Sequence, residues 1–265
     1  MIKCKGGMCM FVREEKWGHI PMLHIVEEEF QDKQVPVVIF LHGFTSAKEH
    51  NLHYAHNIAK EGFRVLLPDA HLHGTRDEKL DEAQLSLRFW EIVLTSIEEV
   101  SFLREELIKR GLVTTEKIGI GGTSMGGITT LGCLTVYDWI DTAAVMMGSP
   151  GFVKLAEAQM AQFERRGFKL PITDEEKKSI LQTLATFDLT KNAAALNQRP
   201  IYFWHGKQDT VVPYEPTYHF YEAMKKNYAE MPERIKFVSD DNAGHAVSRT
   251  GMLQAADWFA CHLKG

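Results

Sequence analysis

A serine set among closely spaced glycines constrains this chain more than any other feature. The segment reads Gly122-Thr123-Ser124-Met125-Gly126-Gly127 and follows a short apolar run, Lys117–Gly121. Apolar residues recur after it at roughly helical spacing: Ile128, Leu131 and Leu134. A serine on a sharp strand-to-helix turn has an exposed hydroxyl, and small residues must flank it to make room. The segment therefore predicts a strand, a tight turn and a helix, with Ser124 as a candidate nucleophile.

Two other glycine-rich loops are excluded by the residues that their mechanisms need. A dinucleotide-binding fingerprint that starts at Gly119 requires glycine at position 124, where this chain has Ser124. A phosphate-binding loop that starts at Gly121 requires lysine at position 127, where this chain has Gly127. The turn therefore favours a serine nucleophile over nucleotide binding, and we predict no cofactor.

Composition limits the class of protein. The chain has 265 residues, 45% of them hydrophobic, which is enough to bury a large core. Its formal charge of −5 and the absence of a basic run argue against a nucleic-acid partner. Residues 1–12 lack a stretch apolar enough for a signal peptide, and no stretch approaches membrane-spanning length. The four cysteines are too scattered for a disulfide framework, so we expect a cytoplasmic protein without membrane contact.

Apolar runs alternate with helical patterns along the chain, which is typical of a mainly parallel sheet with helices on both faces. The predicted strands are Val35–Leu41, Phe63–Leu67, Lys117–Gly121, Ala143–Met147, Ile201–Trp204 and Ile235–Val238. Two weaker candidates, Lys3–Val12 and His19–Glu27, suggest an antiparallel hairpin at the start. The predicted helices are His50–Glu61, Glu82–Arg110, Met125–Tyr137, Tyr214–Tyr228 and Gly251–Leu263.

One segment, about residues 150–198, is much longer than an ordinary crossover between parallel strands. Its pattern is mostly helical, and Thr173 and Glu176 have the spacing of a capping box. An insertion at the carboxyl end of a strand lies where ligand sites form in α/β proteins. We predict a lid over the site, within one domain spanning residues 1–265; the alternative is a surface decoration remote from the chemistry.

The catalytic partners of Ser124 are expected at later positions in the chain, because in this type of fold the acid and then the histidine follow the serine. Asp209 lies in the loop after the strand that begins at Ile201, and His245 directly follows the last strand. Asp209 is the candidate acid and His245 the candidate general base. Weaker candidates for the acid are Asp188, Asp240 and Asp241; the other histidines after Asp209 lie in predicted helices, at His219 and His262.

A turn follows the first central strand at His42-Gly43-Phe44. Such a turn can aim the backbone N–H of Phe44 at the point reached by the backbone N–H of Met125. Two converging donors form an oxyanion hole, and losing one typically raises the barrier by several kcal/mol. His42 is interpreted as a brace for this loop rather than as a catalytic group.

These segments together resemble the α/β-hydrolase superfamily: His42-Gly43-Phe44, Pro68-Asp69-Ala70, Gly122 to Gly127, Gly206-x-x-Asp209-x-x-Val212-Pro213 and Gly244-His245. They are most similar to small bacterial carboxylesterases of the prolyl-oligopeptidase-like and dienelactone-hydrolase-like branch. The resemblance implies an α/β-hydrolase fold with Ser124 as nucleophile, His245 as base, Asp209 as its partner and Phe44 and Met125 as oxyanion donors. The nucleophile is serine where dienelactone hydrolases have cysteine, so a dienelactone substrate is not implied. The sequence shows no propeller domain of the kind that restricts prolyl oligopeptidases to peptides, so peptidase activity is not implied either.

Several weaker patterns have structural explanations. Neither His71 with His73 nor the series His50, His53 and His56 has further ligands at metal-site spacing, so we predict no functional metal. Asp69 and Arg76 could shape the site entrance or pair as a surface salt bridge. Met146, Met147, Phe152 and Trp204 could line an acyl pocket, although core packing is the default interpretation for each.

The sequence thus predicts a serine hydrolase that cleaves small, uncharged carboxylic esters through an acyl-enzyme. A thioesterase or an acyl-peptide or amide hydrolase would use the same three residues, and a catalytically silent binding scaffold is the alternative outside the enzymes. The only predicted partner is a small-molecule ester. The sequence is compatible with a monomer and with a homodimer.

Overall fold

A central eight-stranded sheet organises the structure, a computed structural model that describes residues 9–113, 117–167 and 170–264. Strands β3 to β8 run parallel to one another, and β1 and β2 form an antiparallel hairpin whose second strand pairs with β4. The order across the sheet is β1-β2-β4-β3-β5-β6-β7-β8. The strands are β1 Met10–Trp17, β2 Ile20–Glu27, β3 Val37–Leu41, β4 Arg64–Pro68, β5 Ile118–Thr123, β6 Thr142–Met146, β7 Ile201–Gly206 and β8 Ile235–Asp240.

Helices cover both faces of this sheet. They are α1 Leu52–Ala59, α2 Glu82–Leu87, α3 Phe89–Lys109, α4 Met125–Val136, α5 Phe152–Arg165, α6 Asp174–Phe187, α7 Tyr214–Met224 and α8 Arg249–Leu263. One apolar core lies between the sheet and the face that carries α3 and α4, and the other lies under α1 and α8. The central strands β3, β4, β6 and β7 are buried along their whole length, as strands covered on both sides must be. The predicted α/β architecture is confirmed.

The register of the parallel strands brings their carboxyl ends to one edge. Leu41 at the end of β3 pairs with Gly122 of β5, and Thr123 pairs with Met146 of β6. At the far side, Gly206 at the end of β7 pairs with Asp240 of β8. The loops that leave β3, β5, β7 and β8 therefore emerge on the same edge of the sheet. These loops carry all the predicted site residues.

The predicted hairpin exists, but its first strand continues beyond the predicted end at Val12. Residues 1–8 lie outside the described residues, so most of the candidate Lys3–Val12 is not tested; β1 instead extends to Trp17 and pairs directly with Ile20. The charged residues after Val12 concealed this strand. β1 lies at the sheet edge, where one face meets water and charged side chains are favourable.

The predicted long helix Glu82–Arg110 is wrong in one respect, because it is divided into α2 and α3. Arg88 leaves helical geometry, with φ −95° and ψ 8°, and α3 begins at the next residue. Its guanidinium donates two hydrogen bonds to the Glu91 carboxylate at 2.5 and 2.8 Å. The predicted helix from Tyr214 likewise ends early, at Met224, and continues as a 3-10 turn over Lys225–Tyr228.

The long insertion between β6 and β7 contains α5 and α6. The capping box predicted at the start of α6 is confirmed: the Thr173 hydroxyl accepts the Glu176 backbone N–H at 3.2 Å, and the Glu176 carboxylate accepts the Thr173 N–H at 2.7 Å. Phe152, Ala156 and Leu184 are fully buried in the core on the α4 side of the sheet. Within the described ranges, no helix is long and apolar enough to cross a membrane. A lid function for this insertion stays a prediction.

Candidate active site

The turn after β5 forces Ser124 into an unusual conformation. Its φ of 54° is positive, which is rare for a residue with a side chain, and its ψ is −114°. The flanking glycines are required by close backbone approach: a Cβ on Gly126 would lie 2.2 Å from the Leu41 carbonyl oxygen, and a Cβ on Gly122 would lie 2.5 Å from the Gly126 carbonyl carbon. The next residue, Met125, opens α4, so Ser124 stands at the positive end of that helix.

Two hydrogen bonds join the three predicted site residues. His245 Nε2 lies 2.8 Å from Ser124 Oγ, and His245 Nδ1 lies 2.7 Å from Asp209 Oδ2. An ionised carboxylate only accepts hydrogen bonds, so Nδ1 carries the proton and donates it to Asp209. Nε2 is then free to accept the Ser124 hydroxyl proton. The structure thus brings together residues that are 121 and 36 positions apart in the chain.

The carboxylate of Asp209 is buried and saturated with donors. Oδ1 accepts the backbone N–H groups of Val211 and Val212, each at 2.9 Å, and Oδ2 faces His245. Burial raises the pKa of Asp209, but hydrogen bonds from His205 and His245 and from the two backbone N–H groups outweigh it, so the pKa lies well below its usual value. This carboxylate therefore keeps its negative charge beside His245 throughout the neutral and mildly acidic range.

A second histidine, His205, lies beside Asp209 and was not predicted from the sequence. His205 Nε2 lies 2.9 Å from the Val212 carbonyl oxygen and 3.4 Å from Asp209 Oδ2, so its one hydrogen is shared between these two acceptors. The ring is 1% exposed, and its Nδ1 has no hydrogen-bond partner among the described atoms. The available signal was a histidine inside a fully apolar strand, four residues before the acid. Its ring ties the acid loop to β7.

The loop after β3 approaches the serine closely. A Cβ on Gly43 would lie 3.5 Å from Ser124 Cβ. His42 donates from Nδ1 to the Gly43 carbonyl at 2.8 Å and accepts the Ala70 N–H at Nε2, at 3.0 Å. The backbone N–H of Thr45, one residue after Phe44, donates to His73 Nε2 at 3.0 Å. Histidine hydrogen bonds therefore fix this loop on both sides of the proposed oxyanion donor.

The buried His42 ring gives a pH-dependent contribution to stability. Burial lowers the pKa of His42 from 6.5 to about 4, because the protonated ring would have to carry its charge away from water. The unfolded chain then binds this proton more readily than the fold. We expect the free energy of unfolding to fall by about 3 kcal/mol from this group as the pH decreases from 6.5 to 4.

Urea unfolding of the wild type and of His42→Gln across this pH range measures the effect. The amide retains a donor and an acceptor but does not titrate, so the variant should show the shallower dependence on pH. Equal slopes in the two proteins would contradict the assignment. Since both proteins share every other titrating group, the comparison isolates the imidazole.

A cavity of about 690 Å³ opens above Ser124. Phe44 and Ile128 line it near the serine, and α5 of the insertion forms much of its opposite wall. The insertion residues that face it are Leu155, Ala158, Gln159, Gln162, Phe163, Arg165 and Arg166. Met146, Met147, Phe152 and Trp204 do not line this cavity; they are buried in the two cores, as their default interpretation had it. The acyl-pocket hypothesis for those four residues is wrong because their side chains pack in the two cores on the faces of the sheet.

The weaker candidates for the acid are occupied elsewhere. Asp188 accepts hydrogen bonds from the backbone N–H of Val153 at 2.9 Å and from Thr190, fixing the start of α5. Asp241 pairs with Lys207 at 2.7 Å, and Asp240 accepts the Asn242 N–H at 3.2 Å. Each of these carboxylates serves a local turn or a surface ion pair rather than His245.

Asp69 and Arg76 do not form the surface salt bridge that was considered. The buried Asp69 carboxylate binds the Lys48 ammonium group at 2.9 Å and accepts the Thr75 hydroxyl. Arg76 instead makes a bidentate pair with Glu99 at 2.8 and 2.9 Å. Among the residues that the structure describes, no three histidine, cysteine, aspartate or glutamate side chains lie together as a metal site.

The fold and the site define the class of protein. A mainly parallel sheet, a serine on a strained strand-to-helix turn, and an acid and a histidine on later loops of the same edge are the features of an α/β-hydrolase. Solved structures agree on the fold. TT1662 from Thermus thermophilus superposes with a TM-score of 0.76 at 20% identity, covering 97% of this chain and 100% of that one. Pyrococcus furiosus esterase Pf2001 gives 0.61 at 18% identity, covering 97% and 94%.

Within that class, residues 55–265 match the prolyl oligopeptidase family, and the chain belongs to it. Two curated relatives are similar over nearly their whole length. YitV of Bacillus subtilis, which is named provisionally as an esterase, is 47% identical over 92% of this chain and 96% of its own. Esterase YjfP of Escherichia coli is 32% identical over 95% of this chain and 99% of its own.

Proposed function

We propose that this protein is a serine esterase that hydrolyses small, uncharged carboxylic esters through an acyl-enzyme. The observation that carries the proposal is the pair of hydrogen bonds, 2.7 and 2.8 Å long, that connects Asp209 to His245 and His245 to Ser124 at the floor of a 690 Å³ cavity. The two curated relatives named as esterases support the same reaction class. No cofactor is needed, because every proton transfer has a side chain in position.

The first half of the reaction forms the acyl-enzyme. Ser124 Oγ attacks the ester carbonyl carbon while its proton passes to His245 Nε2, and the carbonyl π electrons move onto oxygen. The backbone N–H groups of Phe44 and Met125 hold that oxyanion. The tetrahedral intermediate then collapses, the bond to the leaving alkoxide oxygen breaks, and His245 gives this oxygen its proton.

The second half regenerates the enzyme. Water enters the place of the alcohol and loses its proton to His245 as its oxygen attacks the acyl carbon. Collapse of the second intermediate breaks the bond to Ser124 Oγ, which recovers a proton from His245, and the carboxylic acid leaves. Asp209 stays ionised throughout; it orients the imidazole and stabilises the imidazolium that forms twice in each cycle.

The lining of the cavity favours an uncharged acyl group. Near the serine the walls are the apolar side chains of Phe44, Ile128 and Leu155. Charged side chains are confined to Glu82 on one side and to Arg165 and Arg166 on the other, and the two arginines are exposed to solvent. A charged acyl group beside the serine would lose its hydration without gaining a partner there. We infer that α5 acts as a lid that supplies this apolar wall.

Labelling with a fluorophosphonate tests the nucleophile directly. We expect one label per chain, on the peptide that contains Ser124, and loss of labelling in His245→Ala because the hydroxyl then lacks its base. Ser149→Ala is a matched control, since this buried serine follows the neighbouring strand and should have no part in the reaction. A catalytically silent scaffold would leave Ser124 unlabelled and would refute the proposal.

A further inference from the structure

A second cavity lies beside the catalytic one and takes no part in the chemistry described so far. Its volume is about 520 Å³, and it lies between α3, α5 and α6, partly open to solvent. The walls are mainly apolar and are formed by Trp90, Leu94, Ala156, Met160, Ile180 and Leu184. The charged residues among its lining are Glu91 and Glu98, both exposed to solvent. A site with such walls suits an apolar ligand and disfavours an anionic one.

The two cavities are neighbours separated by a thin wall. Ser86, Gln159 and Phe163 line both of them. In this wall the Trp90 indole N–H donates to the Gln159 side-chain oxygen at 2.8 Å, so these polar groups satisfy each other. The Trp90 indole donor is therefore already paired where it faces an apolar chain beside this wall.

The second cavity is elongated along α3. Its lining residues on this helix are Trp90, Glu91, Leu94, Thr95 and Glu98, which recur with helical spacing and so form one face. At 1.5 Å per residue, the stretch from Trp90 to Glu98 is about 12 Å long. The adjacent Phe89 lines the catalytic cavity instead. The second cavity, the channel, thus extends along α3 from the end that adjoins the catalytic cavity.

We propose that the second cavity binds the distal part of an apolar acyl chain whose ester carbonyl lies at Ser124. The inference rests on the proposed function and extends its substrates from small esters to esters with medium-length, unbranched alkyl chains. A short acyl group is held within the catalytic cavity alone. A longer chain continues past Gln159 into the channel, where each buried methylene strengthens binding by about fourfold at most.

Two substitutions that fill the channel from opposite walls test this. Thr183→Phe places an aromatic ring into it from α6, and Leu94→Trp enlarges a side chain of α3 that already lines it. Gln182→Phe is the matched control, because Gln182 is exposed on the same helix and lines a different surface groove. All four proteins are compared by kcat/KM on the 4-nitrophenyl esters of acetate and octanoate, after their melting temperatures establish that each is folded.

In the wild type and in Gln182→Phe we expect the octanoate ester to have a kcat/KM at least tenfold above the acetate ester. In both channel variants this ratio should fall by about tenfold or more, with the acetate value within twofold of wild type. An unchanged ratio in both folded variants overturns the channel, whether its true occupant is another apolar ligand or a partner protein. Absence of hydrolysis of both esters by the wild type would instead refute the proposed function itself.

Discussion

Ser124→Ala is expected to lower kcat for 4-nitrophenyl acetate by about a millionfold. In a serine hydrolase the loss of the nucleophile removes the acyl-enzyme route, and the binding groups and oxyanion donors retain only a small residual catalysis. The hydroxyl of this residue accounts for the change, because alanine keeps the Cβ that the backbone at φ 54° already tolerates. The measurement is steady-state hydrolysis, corrected for the spontaneous reaction of the ester.

Ser149→Ala again provides the comparison, and its rate should equal that of the wild type. Unfolding by urea should have a similar midpoint in Ser124→Ala and in the wild type, since the hydroxyl contributes one partly buried hydrogen bond. Retention of more than about one hundredth of the wild-type rate by Ser124→Ala would contradict nucleophilic catalysis at this position. Any rate in Ser124→Ala that fluorophosphonate abolishes belongs to a contaminating serine esterase, because the variant lacks the serine that this reagent labels.

The site geometry could be expected from the sequence because it depends on local rules with few solutions. Gly122 and Gly126 are needed for a backbone that passes within contact of Leu41, so this segment admits few alternatives to the tight turn. The positions of Asp209 and His245 then follow from chain order, since each comes directly after a strand that ends at the same edge. Buried parallel strands are also conspicuous as apolar runs, and this made the order of α/β elements predictable.

The features that could not be predicted from the sequence depend on contacts between distant segments. β1 carries charged side chains because it lies at a sheet edge, a position that its own sequence does not reveal. The break at Arg88 separates two segments that each have good helical patterns. His205 acquires its place beside Asp209 only when β7 is buried between β6 and β8. The second cavity is likewise set by how three helices pack together, which periodicity within each helix cannot predict.

Asp209→Asn is expected to lower kcat by about ten-thousandfold while leaving the fold in place. The Val211 and Val212 N–H groups would hold the new amide oxygen where Oδ1 now lies, so the amide NH₂ would face His245. Nδ1 of His245 would then have to accept a hydrogen bond from the amide. This moves the ring proton to Nε2 and leaves no acceptor for the Ser124 hydroxyl.

The pH dependence of that variant tests whether protonation of Asp209 limits the wild-type rate in mild acid. The hydrogen bonds that Asp209 accepts keep its pKa far below the usual range, so protonation of Asp209 does not limit the wild-type enzyme in mild acid. The stability that these hydrogen bonds contribute is lost only as the pH falls below the ordinary carboxyl pKa of 3.8. The neutral amide should therefore act as a constant defect at every pH above about 5. Asp241→Asn, on an exposed carboxylate paired with Lys207, should retain the wild-type rate. A rate for Asp209→Asn within tenfold of the wild type would assign the acid to another residue.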